Sequence, residues 1–550
     1  MAPARAAAKK APAKATAAKA STKAAAAKAP AKAAVVKKHK AADPIAAPAK
    51  KGKGPKGLAH TPSVTPPPAK AAAGRKRKAD DDVAPPAKKA KALTHGESIN
   101  DAPVQPLNVF VFGEGSSGEL GLGNTKKPPS KDVKRPRLNP YLTPDKVGAV
   151  QVAAGGMHTI VLTHDNKILT WGVNDQGALG RDTAWEGGLK DVDAASDDSD
   201  DDDDGPGDNG LNPREATPAE VDWSTTELAE GTRFTEVTAG DSASFALTDD
   251  GKVYGWGTFR GNDGIIGFTP EVHIATRPIL INGLKDITTI KAGMNHCLAL
   301  DKKGRVHSWG CGQQDQLGRR VIERTAKAEG LKPRDVGLPK GPKKAAVAIA
   351  VGTYNGWAIL KNGDVYAWGL NSMDQTGIPT GEGDTDATIR PAQRVPALSG
   401  IGVTSIAGGG QHAIAATESG DCLVWGRVDA DQAGIPVDEL SKLPEDILRK
   451  DDRGRPRILK VPQKVTAITG NVFQITAGTD HNIAVTKEGK AWSWGFSANY
   501  QTGQGTDDDV KIATMIDNTA VREQKLNAAA AGGQFSIVTA SANTEMVNGV

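Results

Sequence analysis

From about residue 105 to residue 541 the chain alternates apolar and polar side chains in short runs broken by glycine. Residues 152–180, VAAGGMHTIVLTHDNKILTWGVNDQGALG, show the unit most plainly. Two alternating runs flank the polar pair Asp165-Asn166, and the second ends on Trp171-Gly172, 16 residues after Gly155. Period-two alternation predicts strands, and a short polar break between two of them predicts a hairpin. The same offset of 16 separates Gly240 from Trp256, Gly293 from Trp309, Gly352 from Trp368, Gly409 from Trp425 and Gly478 from Trp494. Eleven residues after each leading glycine stand Asn166, Gly251, Gly304, Gly363, Gly420 and Gly489, types that accept the positive φ of a tight turn. A seventh copy is divided between the ends of the repeat region: Phe112-Gly113 and the glycines to Gly123 give its back half, and Gly532-Gly533 with residues 535–538 give its front half.

Successive Trp-Gly pairs lie 53 to 85 residues apart, the length of a four-stranded blade with variable loops. The pattern predicts an all-β chain: a seven-bladed β-propeller over residues 105–541, closed by N- and C-terminal strands in one blade. Residues 542–550 are a C-terminal tail. Residues 1–104 are Lys, Ala and Pro with almost no large apolar side chain, so they bury too little surface to offset ordering and are expected to be a disordered basic tail.

Charge sharpens this division. The net charge of +5 hides +18 over residues 1–100 and −13 over the remainder. Lysines spaced by Ala and Pro suit sequence-independent contact with phosphates, with a solubilising tail as the plainer reading. Arg75, Lys76, Arg77 and Lys78, followed by Lys88, Lys89 and Lys91, have the pattern of a bipartite nuclear import signal. Within the repeats, the loop 191–210 carries an aspartate run whose role is open between restraining the tail, meeting histones and plain solvation; the loop 319–344 is basic. Three scattered cysteines indicate neither a zinc site nor a disulfide framework and fit a reducing compartment. No apolar run is long enough to span a membrane.

The copy over residues 237–267 departs from the template after its Trp-Gly. Residues 258–267, TFRGNDGIIG, are longer by two than the template's VNDQGALG and predict a protruding, tightly turned wedge. In each hairpin the residues after the leading glycine lie at the same end as the loop after Trp-Gly. Asp241, His158, Asn295, Asn355, His412 and His481 therefore share a face with Phe259, Arg260, Asn262 and Asp263. The recurrence of His158, His296, His412 and His481 three residues past the glycine fits either a repeated structural hydrogen bond or a functional role. No nucleophile–base pair, phosphate loop or metal spacing appears, so no catalytic residue, metal or cofactor is expected.

The repeats AGGMHTIVLTHDNKILTWGVNDQGALGRDT and AGDSASFALTDDGKVYGWGTFRGNDGIIG resemble those of the regulator of chromosome condensation family over about residues 105–541. Its founding members are nuclear guanine-nucleotide exchange factors for the small GTPase Ran. Repeats of this type also occur in proteins of other function, and the motif WGTFRGNDGIIG is the more specific part. The resemblance implies that the wedge inserts against Ran and expels nucleotide without covalent chemistry. It implies exchange contacts at Asp241, His412 and His158, with Asn295 at a usually acidic position and Phe535 where histidine is common. It further implies nucleosome binding through the tail on DNA and through Arg319, Arg320 and Arg324 on the histone acidic patch, an import receptor as partner, and a monomer in the nucleus on chromatin, serving nucleocytoplasmic transport and mitosis. A non-catalytic chromatin platform is the alternative.

Overall fold

A computed structural model describes residues 94–125, 131–186, 210–381 and 383–542, all within the compact unit Lys88–Val550. The import-signal clusters, the tail before residue 94 and the aspartate run lie outside the described residues. Every alternating run forms its strand. The template becomes Ala149–Ala154, His158–Thr163 and Ile168–Gly172, with the short outer strand Ala219–Glu220 completing an antiparallel meander. Among the described residues there are seven such sheets of four or five strands and one extra sheet of two. Their innermost strands begin at Ala149, Phe234, Ile287, Ala346, Val403, Val472 and Leu526; each packs on the next and the last on the first. The ring is a seven-bladed propeller. In the closing blade Leu107–Gly113 pairs antiparallel with Phe535–Ser541, so the two ends of the repeat region cover each other's edges.

The sequence dictates this packing through its second strands and its tryptophans. His158–Thr163, Ala243–Thr248, His296–Asp301, Asn355–Leu360, His412–Thr417 and His481–Thr486 are buried at every position, because both faces of each sheet are covered by neighbouring blades. The indole of Trp171, Trp256, Trp368, Trp425 or Trp494 lies buried between blades. Its Nε1 donates across the blade boundary to the carbonyl of Glu119, Ala178, Gln316, Gln375 or Gln432 respectively, at 2.8–3.0 Å. In the last four pairs that carbonyl belongs to the residue seven after the preceding blade's Trp. The hairpin turns have the predicted positive φ, from 67° at Asn166 to 85° at Gly420.

Two expectations are corrected here. The sequence predicts a tail over residues 1–104, yet residues 95–100 are held to the turn end of the ring. Ile99 N donates to Asp249 O, and the Asn100 amide bridges two blades by donating to Thr248 O and Ile287 O at 3.1 and 2.9 Å. His95, Asp249 and Asp250 come together there, but Asp250 is already occupied by the Lys252 ammonium and the Gly96 amide. Residues 319–344 are not one basic loop. They hold the short helix Ala326–Gly330 and the outer strand Arg334–Asp335, which divides arginines at the glycine end from Lys340, Lys343 and Lys344 at the turn end. The three cysteines are free and buried. No helix among the described residues is long and apolar enough to cross a membrane.

Candidate functional site

The wedge is an extra hairpin of Phe259–Gly261 and Gly264–Gly267, paired in register Gly261↔Gly264 around the exposed tip Asn262-Asp263. It replaces a loop that the other blades use for packing. Seven residues after Trp256 the chain is at Asp263, out at the tip, so no carbonyl is delivered to the next blade's tryptophan. Trp309 Nε1 accordingly has no hydrogen-bond partner although the ring is buried. An unmade buried bond costs about 1–3 kcal/mol. Aromatic packing offsets it: Phe245, Phe259 and Phe268 stack at 5.8–6.0 Å, and Phe245 meets Trp309 edge-on at 5.8 Å. Phe259, expected on the protruding surface, is therefore a 2 % exposed anchor; its apolar ring stays in the core while the polar residues after it emerge.

Both flanks of the hairpin are tied. Arg260 N donates to Asn295 Oδ1 at 2.7 Å and Asn262 N to Gln313 Oε1 at 2.7 Å, both from the following blade. On the other side Arg260 Nη1 lies 3.3 Å from Asp175 Oδ2. Asn295 is thus a support beneath the wedge. Asp175 and Gln313 were not anticipated from sequence; each stands four residues after its Trp, in the copies on either side of the wedge, and only ring closure makes them its neighbours.

Asp241 sits between two blades. Its amide donates to Met294 O at 2.8 Å, and Gly156 lies directly against its carboxylate, where an added Cβ would push Oδ1 aside. Burial raises its carboxyl above the usual range, with Arg260 pulling it back down. The mouth of a central channel of about 1010 Å³ opens beside it, rimmed by Met157, Met294, Tyr354, Gln411, Arg427 and Asp480. Burial and then the Asp241 charge raise the Tyr354 hydroxyl.

The histidines resolve differently. His158 and His412 share the predicted face, but each is 1 % exposed and turned into the blade boundary, which corrects their reading as direct contacts. His158 Nε2 meets Ser244 Oγ at 2.8 Å, His412 Nε2 meets Asn482 Oδ1 at 2.9 Å, and His481 Nε2 meets Ser536 Oγ at 2.8 Å. Each acceptor side chain bonds in turn to a loop carbonyl of the histidine's own blade, at Ala178, Gln432 or Gln501. Burial lowers His158 and His296 to about 4 and His481 to about 3, and lowers His412 as well, so all are neutral pins. Phe535 fills the equivalent place with a ring against Gly532. Asn355, also expected on this face, is buried and bonded to Leu370 O.

Of the three arginines beyond the next Trp-Gly, Arg320 and Arg324 are exposed. Arg319 is corrected: its Nη2 donates to the carbonyls of Ser308, Glu329 and Lys332 at 3.0–3.3 Å, and burial lowers its guanidinium to about 10. It braces its own loop, as Arg181 does from the same repeat position by donating to Thr170 O and Arg214 O.

A family profile described as RCC1-like domain matches residues 108–538. Over 442 residues the chain is 39 % identical to Guanine nucleotide exchange factor SRM1 of Saccharomyces cerevisiae, covering 79 % of this chain and 87 % of that one. It superposes with TM-score 0.70 and 36 % identity on Prp20p from Saccharomyces cerevisiae, described together with its binding properties to Gsp1p and histones, over 81 % and 93 % of the two chains. A structure of Kap60 bound to yeast RCC1 (Prp20) matches with TM-score 0.71 and 34 % identity over 84 % and 97 %.

Proposed function

The chain belongs to the RCC1-like domain family, and from that premise we propose that it is a guanine-nucleotide exchange factor for the small GTPase Ran, working at chromatin. The observation that carries this reading is the diverted loop. One blade gives up the bond to its neighbour's tryptophan and projects a hairpin fixed on both flanks. Local packing rules broken at a rigid, solvent-facing feature point to function. An interaction platform would not require that departure in one blade alone.

The exposed Asn262-Asp263 tip presses against the GTPase where nucleotide is held, and Asp241 makes a second contact across the face. Phe259, Asn295, His158 and His412 act by holding these surfaces in place. Tight binding of the nucleotide-free GTPase necessarily weakens nucleotide binding, and incoming nucleotide weakens the complex by the same factor. Exchange is thus accelerated in both directions without a covalent step, and the prevailing nucleotide pool sets the direction of loading.

The relative Prp20p is described as binding histones, and Kap60 is seen bound to yeast RCC1. By that analogy the basic residues before residue 94 contact DNA, Arg320 and Arg324 meet the histone acidic patch, and Arg75–Lys78 with Lys88–Lys91 engage an import receptor for nuclear entry. The deciding experiment is release of a fluorescent GDP analogue from Ran, with a second small GTPase as control. Acceleration confined to Ran is expected; no acceleration by folded protein would move the function to a chromatin platform.

A further inference from the structure

Most of the large apolar side chains of the ring are buried, yet two thioethers stand open beside the half-buried carboxylate of Asp241 on the wedge face. Met157 is 46 % and Met294 is 38 % exposed. They lie on opposite sides of Asp241. Met294 gives its carbonyl to the Asp241 amide, while Gly156, the residue before Met157, backs directly onto the Asp241 carboxylate. The repeat explains why these side chains cannot bury: both belong to the connection that follows a leading glycine, at the rim of the channel, where no neighbouring blade reaches over them.

The charge around them is one-sided. Asp241 stands between the two thioethers and Asp263 is exposed at the tip of the wedge from the same blade, while Arg260, the basic side chain of that wedge, is engaged with Asp175 at 3.3 Å. Methionine is unbranched and polarizable, and moulds itself to a partner's apolar surface. Acidic groups at the edge of such a patch select basic neighbours in whatever docks there.

We propose that Met157 and Met294 form a two-sided apolar seat on the wedge face, taking a segment of the GTPase that presents an apolar side chain next to a basic one. This rests on the exchange-factor reading above and adds to it a division of labour. The seat supplies affinity that is equal with and without nucleotide, whereas the wedge supplies displacement.

That division has a kinetic signature, because interactions made equally in the ground and transition states change KM and leave kcat alone. The test is steady-state exchange on Ran by the full chain carrying Met157→Gln and Met294→Gln together. Removing both apolar contacts should raise KM about ten-fold with kcat within about two-fold, and the pair Met157→Leu and Met294→Leu should restore most of the loss. Both positions are on the surface, so an unchanged melting temperature is expected. An unchanged KM in the Gln pair, or a fall in kcat alone, would overturn the proposal while leaving exchange activity intact. A wild-type chain with no exchange activity would instead overturn the parent reading and this one with it. Sedimentation of both variants should show monomers; a wild-type dimer dissolved by the Gln pair would assign the seat to a second copy of the chain and also overturn it.

Discussion

Replacing Asn295 by Ala removes the acceptor that holds the wedge at its base. Arg260 N donates to Asn295 Oδ1 at 2.7 Å, and Asn295 is only 9 % exposed, so little water is available to substitute. Losing such a bond costs about 1–3 kcal/mol, which corresponds to a roughly 5- to 150-fold smaller population of correctly placed hairpin. The other ties, to Gln313 and Asp175, hold the tip and the Arg260 head rather than the base. We therefore expect Asn295→Ala to lower the maximal rate of nucleotide release from Ran by about ten-fold or more. The melting temperature should fall only slightly, since the core cluster of Phe245, Phe259 and Phe268 is untouched. Asn295→Asp keeps an oxygen at the acceptor position and should restore most of the rate. Single-turnover release at saturating exchange factor is the assay. A rate within two-fold of wild type for Asn295→Ala, or an equal loss in Asn295→Asp, would refute the positioning argument.

The missing bond at Trp309 makes a stability prediction: Trp309→Phe should cost about 1–3 kcal/mol less than Trp425→Phe, which also breaks a 2.8 Å bond to Gln375 O. Denaturant unfolding of both variants checks this, and equal losses would mean that the wedge blade finds another acceptor. Acid should destabilise the ring through its buried histidines. Their folded-state values of about 4 and about 3 lie below the ordinary 6.5, so the unfolded chain protonates first. Stability is full above about pH 6.5 and falls as pH drops toward 4, by up to about 1.4 kcal/mol per unit for each histidine; His158→Asn should flatten the melting-temperature profile in that window. Asn100→Ala removes the bridge to Thr248 O and Ile287 O. It should expose residues 94–100 to limited proteolysis while leaving exchange on free Ran unchanged, because that segment is held at the turn end of the ring.

The division of labour between sequence and fold is visible in particular residues. Strand positions, hairpin turns and blade number were legible in the chain, because they depend on local period and on positive φ at Asn166 and its counterparts. The wedge was legible as a departure from a repeated pattern, and so was the end of the ring to which Asp241 belongs. The direction of each side chain was not. His158 and His412 follow the same offset as a surface residue would, and only the adjoining blade, with Ser244 or Asn482 facing them, turns them into buried pins. Phe259 and Arg319 read as exposed from their loops, and one is claimed by the rings of Phe245 and Phe268 and the other by loop carbonyls that local pattern does not reveal. The ties from Asp175 and Asn295 to Arg260 span 85 and 35 residues. A repeat announces its own strands through local alternation; what lies between two repeats is decided by closure of the ring, which brings unlike copies edge to edge and leaves each exposed polar or apolar group to whichever neighbour the geometry supplies.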